Sequence, residues 1–202
     1  MIIESCCTSL NEALAAQGRG ANRIELCVDL SVGGLTPPHE LIKEVVNTLP
    51  IPVNVLIRPA DSFVCCEAEL QQMLADIDYC KSTGAAGIVI GVLKQDGAID
   101  IDAMQKLIDA ARPLPVTFHR AFDVCTEDPF EAMEKIIKLG CKRLLTSGMA
   151  PDAWMGKGLI AELVRHADGR IIIMPGCGVH PDNIKALAAI TLALEFHGTR
   201  LP

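Results

Sequence analysis

Two short runs place chemistry at alternating positions: Met1-Ile2-Ile3-Glu4-Ser5-Cys6 and Asn22-Arg23-Ile24-Glu25-Leu26-Cys27. A strand alternates its faces residue by residue. Read as strands, these runs send Glu4 and Cys6 to one side, and Arg23, Glu25 and Cys27 likewise. A buried carboxylate is costly unless a cation or hydrogen bonds compensate it. Charge on buried strands therefore marks a network that is either a site or the floor of one. Cys6 and Cys27 fall at comparable depths on neighbouring strands. Two thiolates suit a soft ion such as Cu(I), with Cys7, Cys177 or His197 as a further donor. The plainer reading packs both thiols under the loops.

The elements that must position these groups follow a repeated rhythm of apolar strand, loop and amphipathic helix. Strands are expected at 2–6, 22–27, 53–57, 86–90, 115–119, 143–146, 171–174 and 192–196. That spacing is the spacing of βα units. Helix signals fill the gaps. Ser9 with Glu12 resembles a capping box, and Thr36-Pro37 suits an N-cap and first helical position. Asp100 and Asp128-Pro129 announce two further helices, the second ending at Gly140. The expectation is one domain over residues 1–202, a TIM-type (β/α)8 barrel lacking the complete final helix, because only Gly198 to Pro202 follow the eighth strand. A doubly wound open sheet is the runner-up, but Cys6-Cys7-Thr8-Ser9 is no glycine fingerprint. An uncovered apolar flank beside strand 8 would call for a subunit interface.

Barrels of this kind build their sites from the C-terminal ends of the strands. Those ends gather Glu25, Glu195, His119 and His197 as acid and base candidates, with Asp123 placed to hold His119 or Arg120. Histidine transfers protons near neutral pH, and a carboxylate fixes its tautomer. Arg58, Arg23 and Arg120 are the candidate holders of ligand charge. In a regular strand His119 faces the interior with Thr117, and Arg120 faces the helices. Ser147-Gly148 and Gly176-Cys177-Gly178 are small-residue turns whose N–H groups could cradle an anion. As an enzyme the chain would act on a small anionic or phosphorylated metabolite, with His119 as acid/base. As a metal protein it would use Cys6 and Cys27. As a shortened barrel it would serve a structural or interaction role.

Composition narrows the partners. The 202 residues are 50% hydrophobic and 21% charged, enough for one sizeable core. The net charge of -7 and the lack of a Lys/Arg cluster argue against nucleic acid. No apolar run approaches membrane-spanning length, and no signal segment is visible, so a cytoplasmic protein is expected. Nine cysteines show no CxxC spacing and fit no zinc motif.

The chain resembles the CutC family of copper homeostasis proteins. The likeness is carried by Ile3-Glu4-Ser5-Cys6, by Ala21 to Cys27, by Gly33-Gly34-Leu35-Thr36-Pro37 and by Ile57-Arg58-Pro59. Its most specific run is Pro113 to Asp123, joined by Arg143 to Gly148, Ile173 to Val179 and Glu195-Phe196-His197. The resemblance implies a TIM-type barrel, a cytoplasmic homo-oligomer and a link to copper, with Cu(I) held through Cys6 and Cys27. It brings no established reaction. Family members usually continue after Arg58-Pro59 with Arg-Gly-Gly-Asp-Phe, whereas this chain reads Ala60-Asp61-Ser62-Phe63, one residue shorter. An arginine and two glycines that would grip an anion are missing. Relatives also run on after Glu195-Phe196-His197 to complete the last helix.

Overall fold

The computed structural model describes residues 1–199 and Leu201. Eight parallel strands alternate with seven α-helices. The strands are β1 (Ile2–Cys7), β2 (Arg23–Leu26), β3 (Val53–Leu56), β4 (Gly87–Ile90), β5 (Val116–Phe118), β6 (Arg143–Thr146), β7 (Ile172–Pro175) and β8 (Glu195–Gly198). The helices are α1 (Leu10–Gly18), α2 (His39–Thr48), α3 (Glu67–Thr83), α4 (Ile101–Ala111), α5 (Pro129–Leu139), α6 (Lys157–Ala167) and α7 (Ile184–Thr191). From β1 to β7 each strand pairs with its sequence neighbour, β8 pairs with β1, and among the described residues β7 packs beside β8 without pairing, which brings the ring nearly to closure. This consecutive order is the TIM-type barrel and excludes the doubly wound sheet. Among the described residues no helix follows β8.

The alternation predicted for β1 and β2 holds. Cys7, Ile24 and Leu26 join the large apolar core between strands and helices. Cys6 and Cys27 join a separate inner cluster with Leu56 and Val89. The barrel interior therefore has few apolar residues, and polar side chains fill the rest.

Local signals explain most of the boundaries. Ser9 accepts the Glu12 N–H, and Asp100 and Asp128 cap α4 and α5. Glu12 turns back to the Thr8 N–H rather than to Ser9, so the capping box is only half formed. Thr36 does not cap α2. That helix starts at His39 after Pro38, and the Thr36 hydroxyl accepts the Arg58 N–H at 2.8 Å. Strand β8 lies further along than the apolar run suggested. Leu192 closes α7 in a left-handed conformation and Leu194 is 73% exposed, so pairing starts at Glu195. Ile190 and Leu14 are exposed as well.

Candidate functional site

The interior divides into a floor and a cavity. At the floor, Arg23 donates through Nε to Glu4 at 2.5 Å and through Nη2 to Glu195 at 2.7 Å. Arg143 donates to the same Glu195 oxygen at 2.7 Å. Asn54 donates to Glu4 at 2.9 Å, and His197 Nδ1 lies 2.9 Å from its other oxygen. Burial alone would raise Glu4, but His197 and Arg23 outweigh it and hold the carboxyl down to about 2. Glu195 is likewise held down, by Arg143 and Arg23 against burial.

This arrangement corrects two expectations. Glu195 opens β8, and Arg23 opens β2, so both sit at the N-terminal end of the barrel below the cavity. Neither lines it. Glu195 is a structural counter-ion rather than an acid/base group. Arg23 directs Nε and Nη2 to Glu4, Glu195 and the Met174 sulfur, below the cavity rather than into it.

Above the floor lies a cavity of about 850 Å³, within the usual range for small-molecule sites. Cys6, Glu25, Arg58, His119, Arg120, Asp123, Gly178 and His197 line it, together with Phe63, Leu56, Leu145, Val179 and His180. The Cys6 and Cys27 sulfurs are 3.3 Å apart. One donor atom each from Cys6, Glu25 and His197 lies within 4.8 Å of the others. The Cys27 hydrogen bond, burial and the Glu25 charge raise the Cys6 thiol well above its ordinary value. Burial raises Glu25 to about 7 against the pull of His197. Its Oε1 receives only the Cys6 thiol, at 3.8 Å, and its Oε2 has no hydrogen-bond partner, with His197 Nδ1 3.9 Å away. Burial would lower His197, but Glu25 and Glu4 raise it. Cys7 points into the outer core and is no third donor. Cys177 lines the cavity and its thiol donates to the Pro151 carbonyl.

His119 enters from the end of β5, where Gly91 makes room for it. A Cβ at Gly91 would fall 2.5 Å from His119 Nδ1. Burial, then the Arg58 charge, pushes His119 down to about 3. The ring is therefore held in its neutral form at physiological pH. Arg120 departs from expectation. The strand ends at Phe118, and a 3-10 turn over Arg120–Val124 carries Arg120 to the cavity instead of the helix layer.

The β6 anion-cradling loop is already occupied by the protein's own groups, whereas in the β7 turn the Gly176 N–H is engaged and Gly178 lines the cavity. Asp123 accepts from Arg120 Nε, the Thr146 hydroxyl, the Ser147 N–H and hydroxyl, and the Met149 N–H. The Gly148 N–H donates to the Thr146 hydroxyl, and the Gly176 N–H to the Thr146 carbonyl. Asp123 is thus the anion that the β6 loop binds, and Ser147, Gly148 and Gly176 have no spare donors there for a ligand. Arg58 is similarly engaged. It donates to the carbonyls of Val32, Gly34 and Ser62 and to Asp61, and lies over the Phe63 ring at 4.6 Å. It clamps two loops together instead of presenting an open fork. Asn54, Arg143, Phe63 and His180 were missed. The first two are polar residues on inward strand positions, a signal the alternation carried. The last two sit on loops, which have no such period.

The family model described as the CutC family matches residues 1–201. The chain belongs to the CutC family. A CutC family protein of Parabacteroides distasonis is 52% identical over 198 residues, covering 97% of this chain and 81% of that protein. One of Histophilus somni is 46% identical over 198 residues, with 98% and 81% covered. The crystal structure of a Streptococcus agalactiae protein described as a copper homeostasis protein CutC superimposes with a TM-score of 0.94 at 32% identity, over 100% of both chains. A Thermotoga maritima phosphoribosylanthranilate isomerase matches at a TM-score of 0.64 and 14% identity, over 98% of this chain and 88% of that one, and shares the barrel alone.

Proposed function

We propose that this CutC family chain is a copper homeostasis protein that binds Cu(I) through Cys6 and Cys27 at the base of the cavity. The observation that carries this reading is the buried thiol pair, 3.3 Å apart, beside a carboxylate oxygen with no hydrogen-bond partner. With metal–sulfur bonds of about 2.3 Å, one ion can touch both sulfurs at that separation. Soft thiolates select a soft ion, and an imidazole beside them suits the same class of metal. His197 is the candidate third donor, and Glu4 fixes its orientation through Nδ1. Glu25 supplies negative charge, and a hydrogen bond to the site when protonated. Bound copper would supply no chemistry of its own here. It is cargo, and the chain's residues select and hold it.

The raised Cys6 thiol has a consequence. A metal must displace the thiol protons, so binding releases protons and tightens as pH rises. No helix among the described residues is long and apolar enough to cross a membrane. Among them the nine cysteines are free thiols, which fits a reducing compartment such as the cytoplasm. The test is an anaerobic Cu(I) competition titration of the fully reduced protein against a high-affinity chelator. We expect one ion per chain, with affinity lost in Cys6→Ser and Cys27→Ser. Stoichiometry and affinity that ignore both replacements would refute the reading.

A further inference from the structure

Among the described residues, two buried side-chain polar atoms lack a hydrogen-bond partner: Glu25 Oε2 and His119 Nε2. The first belongs to the copper group proposed above. The second does not. His119 Nδ1 accepts the Ala121 N–H at 3.1 Å, so that nitrogen carries no hydrogen. An imidazole keeps at least one ring hydrogen, which must therefore be on Nε2. Nε2 is a donor. In this tautomer it neither ligates a metal nor takes a proton. A buried donor without an acceptor is costly, and this one belongs to a residue that lines the cavity of about 850 Å³.

The next residue supplies a cation. Arg120 lines the same cavity with its side chain 41% exposed, while its partner Asp123 is 4% exposed. The donors of the β6 loop surround the Asp123 carboxylate, so the member of the pair that meets solvent is the guanidinium. Asp123 and the Ser147 hydroxyl hold it in place. Phe63, Leu56, Leu145 and Val179 make the nearby lining apolar.

We propose that the His119–Arg120 side of the cavity binds a small monocarboxylate with an apolar body. One carboxylate oxygen accepts from His119 Nε2–H, its negative charge faces Arg120, and the body packs against the aliphatic wall. Phosphate fits the β6 side of this geometry less well, because the N–H groups of Ser147, Gly148 and Met149 beside Arg120 are already spent within the protein. Nε2 presents almost no surface to water, so an incoming oxygen must displace a neighbour. The Phe63 ring, 5.3 Å from the imidazole and carried by the β3–α3 loop, is the group expected to yield.

The experiment follows the His119 ring by NMR in reduced, full-length protein labelled with nitrogen-15 at histidine. The probe is 3-methylbutanoate, with 3-methylbutanamide and inorganic phosphate as comparisons. A saturable downfield shift of the Nε2 proton is expected, with a millimolar or tighter Kd. The amide and the Arg120→Met variant should each bind at least about tenfold more weakly, Arg120→Lys should recover part of the loss, and phosphate should leave the signal in place. No saturable shift with the carboxylate overturns the proposal. So does an equal response to acid and amide, an unchanged Arg120→Met, or tighter binding of phosphate.

Discussion

Glu4 and Glu25 face the same barrel interior from neighbouring strands, yet one is held down to about 2 and the other pushed up to about 7. Burial acts on both. The difference is the company. Glu4 receives Arg23, Asn54 and His197 in hydrogen bonds, while Glu25 receives one thiol, keeps an oxygen without a hydrogen bond and meets His197 only at 3.9 Å. The floor is a closed network in which every charge is answered inside the protein. The cavity above it holds two thiols in contact, a neutral donor and a half-satisfied acid. Polar residues inside a barrel are thus not evidence of a site by themselves. Unanswered polar residues are, because their cost is recovered only when something binds.

The sharpest way to break this contrast is to remove one partner from the floor. Arg23→Met leaves Glu4 and Glu195 without a shared cation, and the loss should be about 3–5 kcal/mol by urea denaturation. A loss below about 1 kcal/mol would mean that the floor is as dispensable as a surface pair. Next in size is Gly91→Ala. Its methyl would fall 2.5 Å from His119 Nδ1, so a destabilisation of about 1–3 kcal/mol is expected. The Ala121 N–H should also lose its imidazole acceptor, seen in its amide shift.

The pH dependence sharpens the contrast further. His119 titrates at about 3 in the folded chain against an ordinary 6.5. The unfolded chain therefore binds the extra proton between these values. The His119 contribution is complete above pH 6.5 and falls by about 1.4 kcal/mol per pH unit as pH drops toward 3. Glu25 runs the other way. Its folded value is raised, so its contribution is complete below 4.5 and is lost as pH rises through 7. Glu25→Gln should accordingly gain on the parent protein between pH 5 and pH 8. Denaturation of both chains at the two pH values would contradict this if the difference shrank.

Much of the barrel was legible because its period is short and its signals are local. The alternation of Glu4 with Ser5 and of Arg23 with Ile24 and Glu25 placed the charges inside, and Ser9, Asp100 and Asp128 marked helix starts. The β8 register was misread because Leu192-Ala193-Leu194 is as apolar as a strand, although Leu192 ends a helix. That shift moved Glu195 from the cavity to the floor. The surroundings of His119 and Arg120 were hidden for a different reason. They depend on Gly91, Ala121 and a 3-10 turn, contacts between segments that no spacing in the chain announces. Asp123 filling the β6 loop is the same kind of long-range fact.

The central claim is that the cavity, through its thiol pair, is the part of the interior built to bind. Copper K-edge X-ray absorption of the Cu(I)-loaded, reduced protein tests it directly. The account predicts two sulfur scatterers at bonding distance, falling to one in Cys27→Ser, while Arg23→Met leaves the copper spectrum unchanged in whatever fraction stays folded. A first shell without sulfur, or a two-sulfur shell that persists in Cys27→Ser, would contradict it.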